Sequence, residues 1–171
     1  MTKKYENDMD KRIVRGYGNE EAEIFLIGEA PGAEEERKGK PFVGRAGRVL
    51  DMELMRNGIS REEVYVSNVV KIRPPGNRKP TKEEIRYWLP DLLDEIAHVR
   101  PRILVLLGKT AAESILQREV KIDEEYGKVE EIEVKGRRYM ALICYHPAST
   151  FHSNNAKMRF KECIAKIKSM I

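Results

Sequence analysis

Short apolar runs alternate along the chain with stretches of helical spacing. Glu23 to Ile27 (EIFLI) is apolar and β-rich and stops at Gly28, which predicts a buried strand. Ala46 to Arg56 (AGRVLDMELMR) has the three-and-four spacing of a helix that stops before Asn57-Gly58. Val64 to Val70 (VYVSNVV) predicts a second strand, and the proline- and base-rich Lys71 to Pro80 (KIRPPGNRKP) a loop. Thr81 and Glu84 make the Thr-x-x-Glu of a capping box, ahead of a helix through Val99. Arg102 to Leu107 predicts a third buried strand, and Thr110 to Gln117 a helix. Lys128 to Val134 and Arg137 to Cys144 flank Gly136 and predict a hairpin, whose second strand runs into Tyr145-His146-Pro147. A terminal amphipathic helix starts at Asn154 or Asn155.

Strands alternating with helices predict one α/β domain over residues 1–171, a three-layer α/β/α sandwich around a mostly parallel sheet. Such sheets bind ligands outside the carboxyl ends of their strands. The unusual residues cluster at those ends: Gly28-Glu29-Ala30-Pro31-Gly32, then Ser67-Asn68, then Tyr145-His146-Pro147. One shared site is the economical expectation.

Composition narrows the class. Charged residues make up 35% and apolar residues 41%, a globular balance rather than a disordered one. No apolar run reaches bilayer-spanning length, and MTKKYENDMDKR lacks the apolar core of a signal peptide, so a cytoplasmic location is expected. Cys144 and Cys163 are too few for a disulfide framework or a four-cysteine metal site. A net charge of +4 with a pI near 9.0 is compatible with nucleic acid without demanding it. A single Gln among many Glu and Lys suits a heat-adapted protein.

Each candidate has a plain structural alternative. GEAPG alone is an ordinary strand-to-loop turn, and it is neither a P-loop nor a dinucleotide fingerprint. The run Glu34-Glu35-Glu36 is a solvated face or a helix first turn. Phe42, in Pro41-Phe42-Val43-Gly44, staples a helix start or offers a ring to a ligand. Asn68, within an apolar strand, must satisfy its amide on backbone or on a base. His146 alone of three histidines ends a strand, whereas His98 and His152 read as surface residues. Lys71, Arg73, Arg78 and Lys79 form a proline-stiffened basic loop suited to phosphate contact.

Taken in order, GEAPG, GKPFVGRAGRVL, EEVYVSNVVKIRPPGNRKPT, RILVLLGKTAA and YHPAS resemble the uracil-DNA glycosylases. The likeness is to the thermostable iron–sulphur-type branch, family four, and covers about residues 12 to 150. It implies a four-stranded parallel sheet between helix layers and a monofunctional enzyme that removes uracil from DNA; a monomer is expected. On this resemblance Glu29 handles the attacking water, and Ala30 to Gly32 line the pocket. Phe42 stacks on the flipped base, Asn68 reads its edge, His146 donates to O2, and Glu35 lies near C5. DNA contacts fall to Arg45, Lys71, Arg73, Arg78, Ser149, Thr150 and Phe151. Another deaminated base, or a non-catalytic binder of uracil DNA, remains open on the same residues.

The chain departs from this branch at its cluster. Ile72 and Trp88 stand at two of the four cysteine positions, and Met1 and Lys4 fall near the other two. No thiolate set remains, so no 4Fe–4S cluster and no other cofactor is expected, and Ile72 and Trp88 are expected to pack as an apolar plug. The segment Pro147 to His152 also lacks a large aliphatic wedge, leaving Thr150 and Phe151 for that task.

Overall fold

The computed structural model describes residues 12–171. The strands are β1 (Tyr17–Gly18), β2 (Ile24–Gly28), β3 (Tyr65–Asn68), β4 (Ile103–Leu107), β5 (Val129–Val134) and β6 (Arg137–Cys144). The helices are α1 (Ala33–Lys38), α2 (Arg45–Arg56), α3 (Lys82–Val99), α4 (Lys109–Leu116), α5 (Ile122–Glu125) and α6 (Asn154–Lys168). Short 3-10 turns occupy Arg61–Glu63, Pro75–Asn77 and Pro147–Phe151.

The strands form one sheet in the order β1-β3-β2-β4-β6-β5. Its four middle strands are parallel, as expected, but the four-stranded count is corrected to six. β1 and β5 extend the two edges in antiparallel sense. β1 is two exposed residues held by pairing to Val66 and Tyr65, too short to leave a period-two pattern. β5 is the first arm of the foreseen hairpin, added outside β6.

Alternate residues of each middle strand face opposite layers. Phe25 and Ile27 of β2, with Leu104 and Leu106 of β4, pack against Trp88, Leu92 and Ile96 of α3 and Ala111, Ala112 and Ile115 of α4. Ile24 and Leu26, with Ile103 and Val105, pack against Leu50 and Leu54 of α2 and Phe160 and Ile164 of α6. This is the three-layer α/β/α sandwich. The Thr81–Glu84 capping box forms in both directions, at 3.1 and 2.9 Å. The acidic run forms the first turn of α1, where carboxylates favour the helix dipole. Among the described residues no helix is long and apolar enough to cross a membrane.

Candidate functional site

The carboxyl ends of the four parallel strands meet on one face. β2 leads into Glu29 and Ala30, β3 ends in Asn68, β4 leads into Thr110, and β6 leads into His146. Beyond β3, the amides of Val69 and Val70 donate to the carbonyls of Gly28 and Glu29, at 2.9 and 3.1 Å. These bonds fix the spacing between the carboxylate and the amide.

Ala30, Glu35, Phe42, Ala46, Gly47, Asn68 and His146 enclose a cavity of about 50 Å³. Phe42 is buried and its ring lies 5.7 Å from that of His146. Asn68 is 2% exposed, and its Oδ1 is the buried side-chain polar atom without a partner among the described residues. An orphaned buried carbonyl costs about 1–3 kcal/mol unless a ligand satisfies it. Two glycines make room. A Cβ on Gly28 would strike the Phe42 ring and lie 2.6 Å from Asn68 Oδ1, and one on Gly47 would strike the Phe42 carbonyl.

His146 accepts a hydrogen bond on Nδ1 from the Ala148 amide at 3.0 Å. Nε2 is therefore the protonated nitrogen of the neutral ring. Burial strips water from the imidazolium and pushes the pKa down to about 4, against the opposing pull of the Glu35 charge. The preceding residue, Tyr145, anchors this strand end: its hydroxyl donates to Asp123 and accepts from Arg159 at 2.7 Å.

His146 also borders a second, open cavity of about 430 Å³, with Glu29, Lys79, Leu107, Gly108, Lys109, Thr110 and Ala148. Thr110 Oγ1 donates to Glu29 Oε2 at 2.5 Å, which orients the carboxylate. His146 is thus the wall between an amide-lined cavity and a carboxylate-lined one.

Several expected residues take other places. Glu35 does line the small cavity, but its carboxylate is held by three backbone amides: Gly32 at 3.0 Å, Val43 at 2.8 Å and Gly44 at 2.7 Å. Gly32 lines neither cavity and serves through that bond. Lys71 requires a correction. It is 1% exposed, pairs with Glu95 at 2.6 Å, and donates to Ser67 Oγ and the Asn68 carbonyl at 2.8 and 2.6 Å. A side chain withdrawn into the core cannot reach a phosphate; Lys71 instead braces the strand that ends in Asn68. Arg73 lies 3.8 Å from Glu36 and donates to Asn77, and Arg78 pairs with Glu84 at 2.7 Å. Both stay at the surface, with counter-ions of their own. Ser149 and Thr150 donate within their own turn, to the carbonyls of His146 and Pro147. The Arg45 guanidinium lies 3.8 Å over the Phe151 ring.

Ala46, Gly47, Thr110, Lys109 and Arg61 belong to this region and were not singled out in the sequence. Thr110 and Lys109 follow a strand end and so obey the strand-end rule. Arg61 has no local signature, since it acts on the carbonyls of Pro41 and Phe42.

Among the described residues the donor set does not fit an iron–sulphur cluster. Ile72 packs against the apolar cluster that contains the 5%-exposed Trp88. Cys144 and Cys163 lie in the opposite core layer, across the sheet. Among the described residues no three His, Cys, Asp or Glu gather as metal ligands. The positions near Met1 and Lys4 lie outside the described residues.

A type-4 uracil-DNA glycosylase of Archaeoglobus fulgidus is 40% identical over 90% of this chain and 79% of its own length. One from Thermotoga maritima is 39% identical over 93% of this chain and 83% of its own. A solution structure from Methanosarcina acetivorans shares the fold with a TM-score of 0.56 at 15% identity, covering 92% of this chain and 98% of that one. The sequence model of the uracil DNA glycosylase superfamily matches residues 15–168, and the chain belongs to that superfamily.

Proposed function

We propose that this protein is a DNA repair enzyme that flips uracil out of DNA and hydrolyses its N-glycosidic bond, leaving an abasic site. The observation that carries this reading is the orphaned Oδ1 of Asn68, buried beside the Phe42 ring and His146. Uracil N3–H supplies the donor that Oδ1 lacks, and O4 accepts from Nδ2. Cytosine presents the inverse pattern at these positions and would leave both groups unpaired, a strong rejection. Thymine differs by one methyl. Glu35, immobilised by three amides, is a wall that cannot move aside for it.

A base inside a duplex cannot reach this cavity, so it must leave the stack. Stacking on Phe42 offsets part of that unpairing by about 1–3 kcal/mol. As the bond breaks, negative charge collects on uracil O2. The neutral His146 donates from Nε2 and stabilises it, an effect of roughly 3–4 kcal/mol in comparable oxyanion sites. On the sugar side Glu29 stabilises the oxocarbenium-like carbon and takes the proton of the attacking water, with Thr110 fixing its orientation. Lys79 and Lys109 border this cavity and suit the flanking phosphates. The reaction needs no metal, and we propose that the chain carries no iron–sulphur cluster; one cluster per chain in an iron and sulphide assay would refute that.

The test is base release from oligonucleotides carrying U:G, U:A, single-stranded U, T:G or inosine, with Asn68→Ala and His146→Ala beside wild type. Release of uracil, with each variant slower by about 10²–10³-fold, is expected. Release from inosine alone would select another deaminated base. Retention of uracil DNA without release would select a binding protein.

A further inference from the structure

Phe42 has a backbone φ of +52°, which a residue with a bulky side chain rarely adopts. Its surroundings must impose that conformation. From one side Glu35 accepts the next two amides, those of Val43 and Gly44. From the other side the carbonyls of Pro41 and Phe42 are gripped by one guanidinium. Arg61 donates from Nη2 to Pro41 O at 2.7 Å and from Nη1 to Phe42 O at 3.1 Å. Arg61 is itself oriented by Asp51 on α2, which accepts from Nη1 at 2.6 Å. Arg61 lies outside the small cavity, in the turn that leads into β3 and so to Asn68.

We propose that Arg61, oriented by Asp51, is a positioning residue for uracil recognition. It holds Phe42 in its left-handed conformation, so that ring and reading amide form one rigid slot. The inference rests on the assignment of Phe42 as the base-stacking ring. The planar guanidinium sets two nitrogens in fixed geometry against two successive carbonyls and a carboxylate, which a single ammonium point cannot reproduce across the same span. A lysine keeps the charge beside Asp51 and loses the fork, so Arg61→Lys isolates the geometry from the ion pair. Without the fork the backbone relaxes and the ring leaves the slot. The loss falls on base binding, not on the bond-breaking groups at Glu29 and His146.

The experiment compares wild type, Phe42→Ala, Arg61→Lys, Arg61→Gln and the double variant Phe42→Ala/Arg61→Gln. Uracil release and affinity for a duplex containing a tetrahydrofuran abasic analogue are measured, with thermal melts as a folding check. Both Arg61 variants are expected to raise KM roughly tenfold with kcat within about threefold. Affinity for the baseless duplex should stay within about twofold, and the double variant should be no worse than Phe42→Ala within about twofold. Multiplicative losses in the double variant, or Arg61→Lys matching wild type, would overturn the proposal. So would weaker, less salt-dependent binding of the abasic duplex, which would make Arg61 a phosphate ligand. A wild type that releases no uracil, or a Phe42→Ala variant with unchanged KM, overturns the stacking assignment itself and this inference with it.

Discussion

In the proposed reaction His146 meets the substrate as a neutral ring, and acid should undo it in a defined order. Its pKa is pushed down to about 4 by burial, against 6.5 in an unfolded chain. A proton added at Nδ1 would face the Ala148 N–H that this atom now accepts, setting donor against donor. The turn of Pro147–Phe151 would then lose its anchor. Uracil release should therefore hold steady as pH falls through 6.5, then drop with an apparent pKa near 4. The stability effect has the opposite window. Above pH 6.5 both states are neutral and stability is full. Between 6.5 and about 4 the unfolded chain takes the proton first, so stability falls by at most ~1.4 kcal/mol per pH unit. Urea unfolding of wild type and His146→Asn at pH 7, 5.5 and 4.5 checks the sign, and the variant should lack this component of the slope. A rate profile that breaks near 6.5 would mean that the ring titrates as if exposed.

At the level of elements, buried polar groups tie β3, α3 and the chain before β1 into one unit beneath Asn68. Glu95 on α3 pairs with Lys71 and also accepts from the Gly16 amide at 2.8 Å, Ser67 Oγ at 2.7 Å and Tyr65 Oη at 3.3 Å. Burial drives the Lys71 pKa down and Glu95 pulls it back up. Replacing Lys71 with Met leaves Glu95 without its cation, which should destabilise the fold by about 3–5 kcal/mol. Urea melts measure that loss, and a fall below 1 kcal/mol would mean that Glu95 finds another partner or takes up a proton. This network also marks the limit of sequence reading. Glu29, Asn68 and His146 were legible because each follows a short apolar run and the strand-end rule is local. Phe42 was legible through the motifs around it. Lys71 misled because a lysine beside Ile72, Arg73 and two prolines reads as a loop cation. Only α3, folded back across the sheet, supplies the carboxylate that buries it. Thr110 and Arg61 act through hydrogen bonds 81 and 19–20 residues away, which no local pattern records. The outer strand β1 escaped for a similar reason: it exists through its pairing to β3, not through its own two residues.

At the scale of the whole molecule charge is plentiful, but three of the four cations of the basic loop are engaged within the fold. The chain carries 32 basic and 28 acidic side chains, a formal net charge of +4. Lys71 is buried, Arg78 is paired with Glu84, and Arg73 lies near Glu36. The basic loop therefore gives DNA less than its composition suggests. The cations best placed for phosphate are Lys79 and Lys109, which border the open cavity, and Arg45, exposed at the start of α2 beside Phe151. About three such contacts imply a slope of log affinity against log salt near −3, since each phosphate neutralised on a duplex contributes roughly −0.9. Lys79→Ala and Lys109→Ala should each flatten that slope by about 1 and weaken uracil-containing and undamaged duplexes alike. Lys71→Met should leave the slope unchanged wherever the variant is folded. Fluorescence anisotropy on labelled duplexes across 50 to 300 mM salt, on the order of the range where such slopes are resolved, reads all of these together. A slope near −6, or a loss in Lys79→Ala confined to uracil-containing DNA, would place the DNA on a different face from the four strand ends.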